Sequence, residues 1–285
     1  HFNHQLRGEE SQRDETFVTE WCEKRNIPLI IGQGDVAQEA KAQGKGVEET
    51  ARAMRYGFLT QAAQDLGADK LATAHHADDN AETVLLHLVR GAGLDGLTGI
   101  PPVRGILIRP LLAIPQSDIA AYLEQEGIPH VEDSSNFDLT YARNRLRQEV
   151  VPVLQELNPA FISTLTANLD HLREDRDLLE GMAQRAIQEA RVTEGRVSIP
   201  ASTLAALDHP IAVRAVKLLL AKVEYYQISS VHLDQILALA ASTCPSASHN
   251  LPGDLFVWRE YDRLVMSPAA NMPAAFSLRL ITGPG

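Results

Sequence analysis

The stretch His75-His76-Ala77-Asp78-Asp79-Asn80-Ala81-Glu82-Thr83 packs two imidazoles and three carboxylates into nine residues. Side chains of these types hold divalent cations, grip cationic substrates or move protons near neutral pH. Asp79 and Glu82 stand three apart, a spacing that puts both on one helix face. Asp78 falls where a helix start takes a carboxylate against its free N–H groups. A cap alone needs one polar residue, and this turn has five. A zinc centre is disfavoured, because spacing points to no distant third ligand and adjacent His75 and His76 point opposite ways on an extended strand.

The flanking elements put this turn at a seam. Residues 70–74 form a short, mostly apolar run suited to a buried strand, and 81–90 have helical spacing with Gly91 as a stop. Ligands of open α/β sheets bind where strands end and helices begin. Further strands are predicted at 28–33 and 106–111, with helices at 47–66 before Gly67 and at 115–126 before Gly127. This alternation predicts an α/β fold, a parallel sheet with helices on both faces.

From Asn158-Pro159 onward the pattern turns helical. Phe161, Leu165, Leu169, Leu172, Leu179 and Met182 form an apolar stripe, further helices are expected at 210–223 and 229–241, and 255–258 with 263–266 read as a terminal hairpin. The expected organisation is a catalytic domain over 1–157, a mainly helical domain over 158–267, and a linker or the start of a further unit over 268–285, where Phe276 to Ile281 is again apolar.

With 285 residues, 45% hydrophobic and 22% charged, the chain has ordinary globular composition and room for two domains. It carries neither a bilayer-length apolar run nor a basic-then-apolar leader, so a cytoplasmic protein without membrane association is expected. Cys22 and Cys244 are too few for a disulfide framework, and Cys22, in helical register with Phe17, Val18 and Trp21, reads as a core thiol. The formal charge of −11 argues against nonspecific coating of nucleic acid. A local basic footprint remains, strongest at Arg143-Asn144-Arg145-Leu146-Arg147, where Arg143 and Arg147 share a helix face and Arg145 is expected to pair with Glu149.

Four more stretches accompany the His75 turn. His1-Phe2-Asn3-His4-Gln5-Leu6-Arg7-Gly8 reads as a strand end, Glu49 to Tyr56 sets Arg52, Arg55 and Tyr56 on one side of a helix, Arg109-Pro110-Leu111-Leu112 closes a strand, and Asp133-Ser134-Ser135-Asn136 precedes the basic run. In this order and at these separations, the five stretches resemble tRNA(Ile)-lysidine synthetases of the PP-loop ATP pyrophosphatase superfamily, strongly over residues 1–157. The stretch to about 267 is similar to that family's tRNA-binding domain, with weaker motifs.

The resemblance implies an adenine nucleotide α-hydrolase-like fold and an ATP- and Mg2+-dependent ligase. It would join L-lysine to the wobble cytidine of a tRNA(Ile) with a CAU anticodon, through an adenylated base. It implies Asp79 and Glu82 as holders of the amino acid, and Asp78 as a ligand for magnesium or acceptor of the amine's proton, beside His75. His4 and Arg7 would lie by the nucleotide, and Arg52, Arg55, Arg143 and Arg147 would serve as substrate contacts. A homodimer is left open. On another reading, Arg52 simply pairs with Glu48 or Glu49. The family's Ser-Gly-Gly-x-Asp-Ser phosphate loop belongs upstream of His1 and is absent from these residues, which implies an N-terminally incomplete catalytic domain and a polypeptide that cannot adenylate tRNA by itself. The competing readings are a tRNA thiolation enzyme of the same superfamily, a metal phosphoesterase built on the His/Asp cluster, and a noncatalytic tRNA-binding protein.

Overall fold

A computed structural model describes residues 1–131, 138–226, 228–244, 247–252 and 254–268. The chain forms two compact units that part between Leu172 and Arg173. The first unit alternates short strands and helices: β1 (Phe2–Asn3), α1 (Glu9–Arg25), β2 (Gly32–Gln33), α2 (Val36–Gln43), α3 (Val47–Asp65), β3 (Leu71–Ala72), α4 (Ala77–Val89), α5 (Leu94–Leu97), β4 (Val103–Arg104), β5 (Leu107–Ile108), α6 (Gln116–Gln125), α7 (Ala142–Arg145), α8 (Val151–Leu157) and the start of α9 (Phe161–Ala186). A π-helical turn, Leu146–Val150, joins α7 to α8.

Parallel pairing is present as expected. β1 pairs with β2 and β3 with β5 in parallel, while β4 folds back antiparallel on β5. β1, β2, β3 and β5 fall within the predicted strand stretches, whereas β4 lies ahead of the predicted 106–111 run, and each pairs over only two residues. α3 lies close over β2 because Gly32 has no side chain: a Cβ there would meet the Phe58 ring at 2.5 Å. α3 runs close to its predicted span and is followed by Gly67 at φ +62°.

α4 is anchored from beneath. Its Ala77 and Ala81, each 1% exposed, pack with Val151 of α8 and Ile162 of α9, with Leu85, Phe161 and Leu165 at the margin. Small residues at this face bring the backbone of α4 close to its neighbours and fix where its other face points. A second clamp comes from the following turn: the Asn80 side-chain oxygen accepts the Ile100 N–H at 2.7 Å, and Gly99 takes a left-handed φ of +69° to allow it. Cys22 does not lie in a core. It is half-buried on α1, whose only buried residue is Ser11.

The second unit contains the remainder of α9, then β6 (Arg191–Thr193), β7 (Arg196–Pro200), α10 (Ala201–Ala205), α11 (His209–Ala221), α12 (Ser230–Ala241), β8 (Ser248–Leu251), β9 (Leu255–Glu260) and β10 (Arg263–Pro268). The expected hairpin is there as β9 and β10, but it belongs to a five-stranded antiparallel sheet ordered β6-β7-β10-β9-β8. Val197, Ile199, Leu255, Val257, Leu264 and Met266 of this sheet form one core with Leu219 and Leu220 of α11 and Ile236 of α12. Along α9 the buried positions are Ile162, Leu169 and Ala183, whereas Met182 is 37% exposed. The apolar stretch Phe276 to Ile281 lies outside the described residues. No helix among the described residues is long and apolar enough to cross a membrane.

Candidate active site at the start of α4

The chain leaves β3, passes Thr73 to His76 in extended form and enters α4. His76 is the N-cap, and its Nδ1 accepts the Asp79 N–H at 3.4 Å while the Asp79 carboxylate accepts the His76 N–H at 3.1 Å. This reciprocal box satisfies two of the donors that every helix start leaves open. Asp78 therefore does not cap its own helix, as its position suggests. Its Oδ2 instead accepts the Gln116 N–H of α6 at 2.7 Å, where Pro115 at the N-cap has no side-chain acceptor to offer. It also lies 3.7 Å from the His76 Nδ1. Burial would raise the Asp78 pKa, but the His76 contact and the Gln116 N–H outweigh it and hold the carboxyl below the usual range. For His76, burial disfavours the cation, yet Asp78 and Asp79 raise its pKa on balance.

Glu82 is the buried centre of the cluster, 1% exposed. Arg147 grips it through Nε at 2.6 Å and Nη2 at 3.1 Å, and the same Nη2 reaches the Asp79 Oδ1 at 3.4 Å. Arg143 adds an ion pair from Nε at 3.2 Å, at an angle that leaves this N–H without a hydrogen bond, and its Nη2 donates to the Thr83 hydroxyl at 2.7 Å. Burial pushes the Glu82 pKa up despite both guanidinium groups. Arg147 feels the opposite balance: burial would lower its pKa, and Glu82, Asp79 and Asp78 raise it. Arg143 and Arg147 do share a side, and Arg145 points away to pair with Glu149 at 3.3 Å, as the spacing predicts. The π-helical turn carrying Arg147 has no signature in the sequence; such turns recur at functional sites.

His75 bonds through Nδ1 with the Thr73 hydroxyl at 3.0 Å. Burial, with Arg109, Arg52 and Arg143 acting against Asp79, lowers its pKa to about 4. At neutral pH it is an uncharged donor and acceptor.

A second group lines a cleft of about 930 Å³ in the same unit, with His4, Arg7, Asp14, Arg55, Tyr141 and Arg143 in its wall. His4 stacks edge-on against Phe2 at 5.0 Å, and its Nδ1 is buried without a hydrogen-bond partner. Burial, then Arg55 and Arg7, lowers its pKa. Arg7 is held by Asp14 at 3.0 Å. Arg52 and Arg55 flank the Tyr56 ring at 5.0 and 5.6 Å. Among the described residues, neither enters an ion pair, so the alternative pairing of Arg52 with Glu48 or Glu49 is not found.

The structure thus sorts the sequence candidates into two neighbouring sets: His75, Asp78, Asp79, Glu82 and Arg147 around the first turns of α4, and His4, Arg7 and Arg55 around the cleft. Arg143 belongs to both. Exposed Arg52 is close enough to His75 to depress its pKa but is not part of the cleft wall. Sequence reasoning missed Asp14, Asp138 and Tyr141 of the cleft, and nothing in their local spacing marks them. Asp133-Ser134-Ser135-Asn136 lies outside the described residues.

Residues 1–154 match the PP-loop domain family, and 200–265 match the TilS substrate binding domain family. The chain belongs to the PP-loop family. A tRNA(Ile)-lysidine synthase from Geobacter sulfurreducens is 37% identical over 292 residues, covering 100% of this chain and 62% of that protein. One from Geobacillus kaustophilus is 34% identical over 275 residues, covering 94% of this chain and 59% of that protein. The bifunctional protein TilS/HprT of Listeria monocytogenes is 35% identical over 93% of this chain and 42% of its own length. The chain spans from under half to about three fifths of the length of these relatives. A U34-tRNA thiolase, NcsA from Methanococcus maripaludis, is a distant structural neighbour at 16% identity and a TM-score of 0.48, over 61% of this chain and 60% of that one.

Proposed function

We propose that this protein is an ATP-dependent carbon–nitrogen ligase that joins L-lysine to the wobble cytidine of tRNA(Ile) with a CAU anticodon, activating the base by adenylation. One observation carries the reading. A cleft walled by Arg7, Arg55 and Arg143 shares Arg143 with the paired carboxylates of Asp79 and Glu82, so a place for anions adjoins a place for an ammonium. Ligation needs both at once: phosphates to be held and charge-compensated, and an amino acid whose charged end is fixed while its reacting amine stays neutral.

In this reading, residues 1–157 carry the chemistry, 158–267 hold tRNA, and 268–285 form a linker or the start of a further domain. Arg55 and Arg143 are the phosphate contacts, with His4 and Arg7 beside the nucleotide and Arg52 at the margin toward tRNA. Asp79 and Glu82 orient the lysine α-ammonium. Asp78 keeps Oδ1 for a magnesium ion arriving with the nucleotide; that ion fits a site with one or two protein carboxylates and phosphate oxygens as its remaining ligands. Magnesium would neutralise phosphate charge. His75, uncharged at working pH, offers a hydrogen bond to substrate rather than a proton. The comparisons favour lysine ligation over thiolation or metal-dependent phosphodiester cleavage, since the relatives that align along most of the chain carry the lysidine synthase name.

The test is ligation of radiolabelled L-lysine to a tRNA(Ile) CAU transcript by the protein produced from its own gene, with ATP and magnesium. Label in the nucleoside at the wobble position, lost without ATP, is the expected result. Pyrophosphate release that proceeds without label transfer, or sulfur transfer instead, would overturn the reading.

A further inference from the structure

Strand register sorts the five-stranded sheet of the second unit into two faces of different chemistry. Side chains alternate along a strand, and directly opposed residues of antiparallel neighbours share a face. Val197, Ile199, Leu255, Val257, Leu264 and Met266 point to the helices and form the core. The positions between them make the other face. Across it, Arg191 stands opposite Ser198, Ser198 opposite Val265, Val265 opposite Trp258 and Trp258 opposite Ser248. On the same strand as Trp258, Phe256 stands opposite Asn250. Val265 is 5% exposed but is not part of the core, whereas Phe256 and Trp258 keep part of their rings in contact with solvent.

Guanidinium groups border this aromatic pair. Arg191 is exposed on β6, and Arg263 is fixed by Nε to the Ser198 hydroxyl at 3.2 Å and by Nη2 to the Ser198 carbonyl at 3.0 Å. Arg196 shares the face and reaches Glu194 of its hairpin turn at 2.7 Å. Glu260, opposite Arg263, is the carboxylate that these strand positions contribute among the described residues. Three cations to one anion inverts the balance of a chain whose formal charge is −11. Such a face suits phosphodiesters, which guanidinium groups grip through paired N–H donors.

The spacing of the rings says what form the nucleic acid takes. Two residues along a strand put Phe256 and Trp258 about 7 Å apart, roughly twice the 3.4 Å between bases stacked in a duplex strand. Paired bases have no free faces to offer. Bases that are unpaired and splayed can each lie on one ring, the mode in which antiparallel sheets hold single-stranded RNA.

We propose that this sheet face binds an unpaired stretch of RNA, with bases stacked on Phe256 and Trp258 and phosphates held by Arg191 and Arg263. The proposal rests on the reading of the protein as a tRNA-modifying ligase and adds the surface and the mode by which its second unit holds RNA. Ser248 and Asn250, flanking the rings, supply hydroxyl and amide groups for base edges.

The probe is a fluorescein-labelled single-stranded oligoribonucleotide of about eight residues, compared with its duplex and with the tRNA(Ile) CAU transcript. The single strand is expected to quench tryptophan emission in the wild type and not in Trp258→Leu, where Trp21 is the remaining indole. By anisotropy, Trp258→Leu should weaken single-strand binding about five- to 150-fold, and Trp258→Phe, which keeps a ring, should restore most of it. Arg191→Ala should lower the slope of log affinity against log salt by about 0.7. If Trp258→Leu does not fold, loss of the quench in Trp258→Phe with affinity retained, together with the Arg191→Ala slope, decides the matter. Equal affinity for duplex and single strand, or transcript binding that leaves Trp258 emission unmoved, overturns the stacking face and leaves the ligase reading standing. Emission that shifts to the blue with rising protein concentration and ignores RNA assigns the face to a second copy of the chain and overturns the proposal too. Quenching by single strand in a protein that transfers no lysine supports the face and overturns the ligase reading. Failure to bind any RNA overturns both.

Discussion

At His75 and Glu82 burial outweighs the opposite charges beside them, whereas at His76 and Asp78 the neighbouring partners outweigh burial. His75 has Asp79 nearby, which favours its cation, but burial and the flanking arginines win and its pKa falls to about 4 against an ordinary 6.5. Folding therefore favours neutral His75. Its contribution to stability is complete above about pH 6.5, declines as pH falls toward 4 and is flat below, at most roughly 3 kcal/mol in all. The His75 Cε1–H signal should stay constant from pH 8 to 5 in a carbon-edited NMR titration, and a midpoint near 6.5 would refute this account. Glu82 presents the converse case, a carboxylate buried at 1% exposure whose only compensation is positive. Glu82→Gln leaves Arg143 and Arg147 facing no charge at that centre, and removing one partner of a buried ion pair costs about 3–5 kcal/mol. Arg145→Ala breaks an exposed pair and should cost under about 1 kcal/mol. Urea unfolding of the two variants side by side measures the contrast, and equal losses would show that Glu82 is not the hub the distances make it.

At the scale of elements, positions were legible and lengths were not. The helices α3, α4 and α6 could be read because glycine and proline punctuate their ends and their apolar spacing runs for several turns. The strands beside them pair over two residues, too few for any periodicity to fix their ends. In the second unit, β6 is exposed along its length and β8 is Ser-His-Asn-Leu, so neither carries the apolar alternation that identified β9 and β10. The site divides in the same way. The nine residues at His75 declared themselves by density, whereas the cleft draws Asp14, Asp138 and Tyr141 from distant segments that only the fold brings together. The π-helical turn left no trace in composition. One local device is testable directly: Gly99 holds φ +69°, and a Cβ on it would lie 2.2 Å from the Asn80 Oδ1 that receives the Ile100 N–H. Gly99→Ala therefore both strains the backbone and breaks the clamp on α4, and a loss of about 2 kcal/mol or more is expected. A stability unchanged within error in thermal unfolding would mean the Asn80 bond does not tie α4 to this turn.

For the molecule as a whole, the division into two compact units predicts how damage spreads. The second unit has its own core, in which Ile236 of α12 is fully buried among Leu219, Leu220 and the inner faces of β7, β9 and β10. The first unit anchors α4 through a separate set of contacts, Ala77 and Ala81 against Val151 and Ile162. Cutting Ile236 to alanine removes buried methylenes and leaves a cavity, a loss of about 2–5 kcal/mol. If each unit opens as a cooperative whole, that loss belongs to the second alone. Amide hydrogen exchange in Ile236→Ala should then speed up together across β7, β9, β10, α11 and α12, while α3 and α4 keep their wild-type protection and the His75 signal keeps its position. Equal acceleration in α3 and α4 would mean that the units share one unfolding transition. The separation also bears on tests of the proposed tRNA contact. A variant in the second unit that loses RNA binding while α4 keeps its protection has lost a contact, whereas one that loses both has lost the fold, and the exchange pattern distinguishes them without any activity measurement.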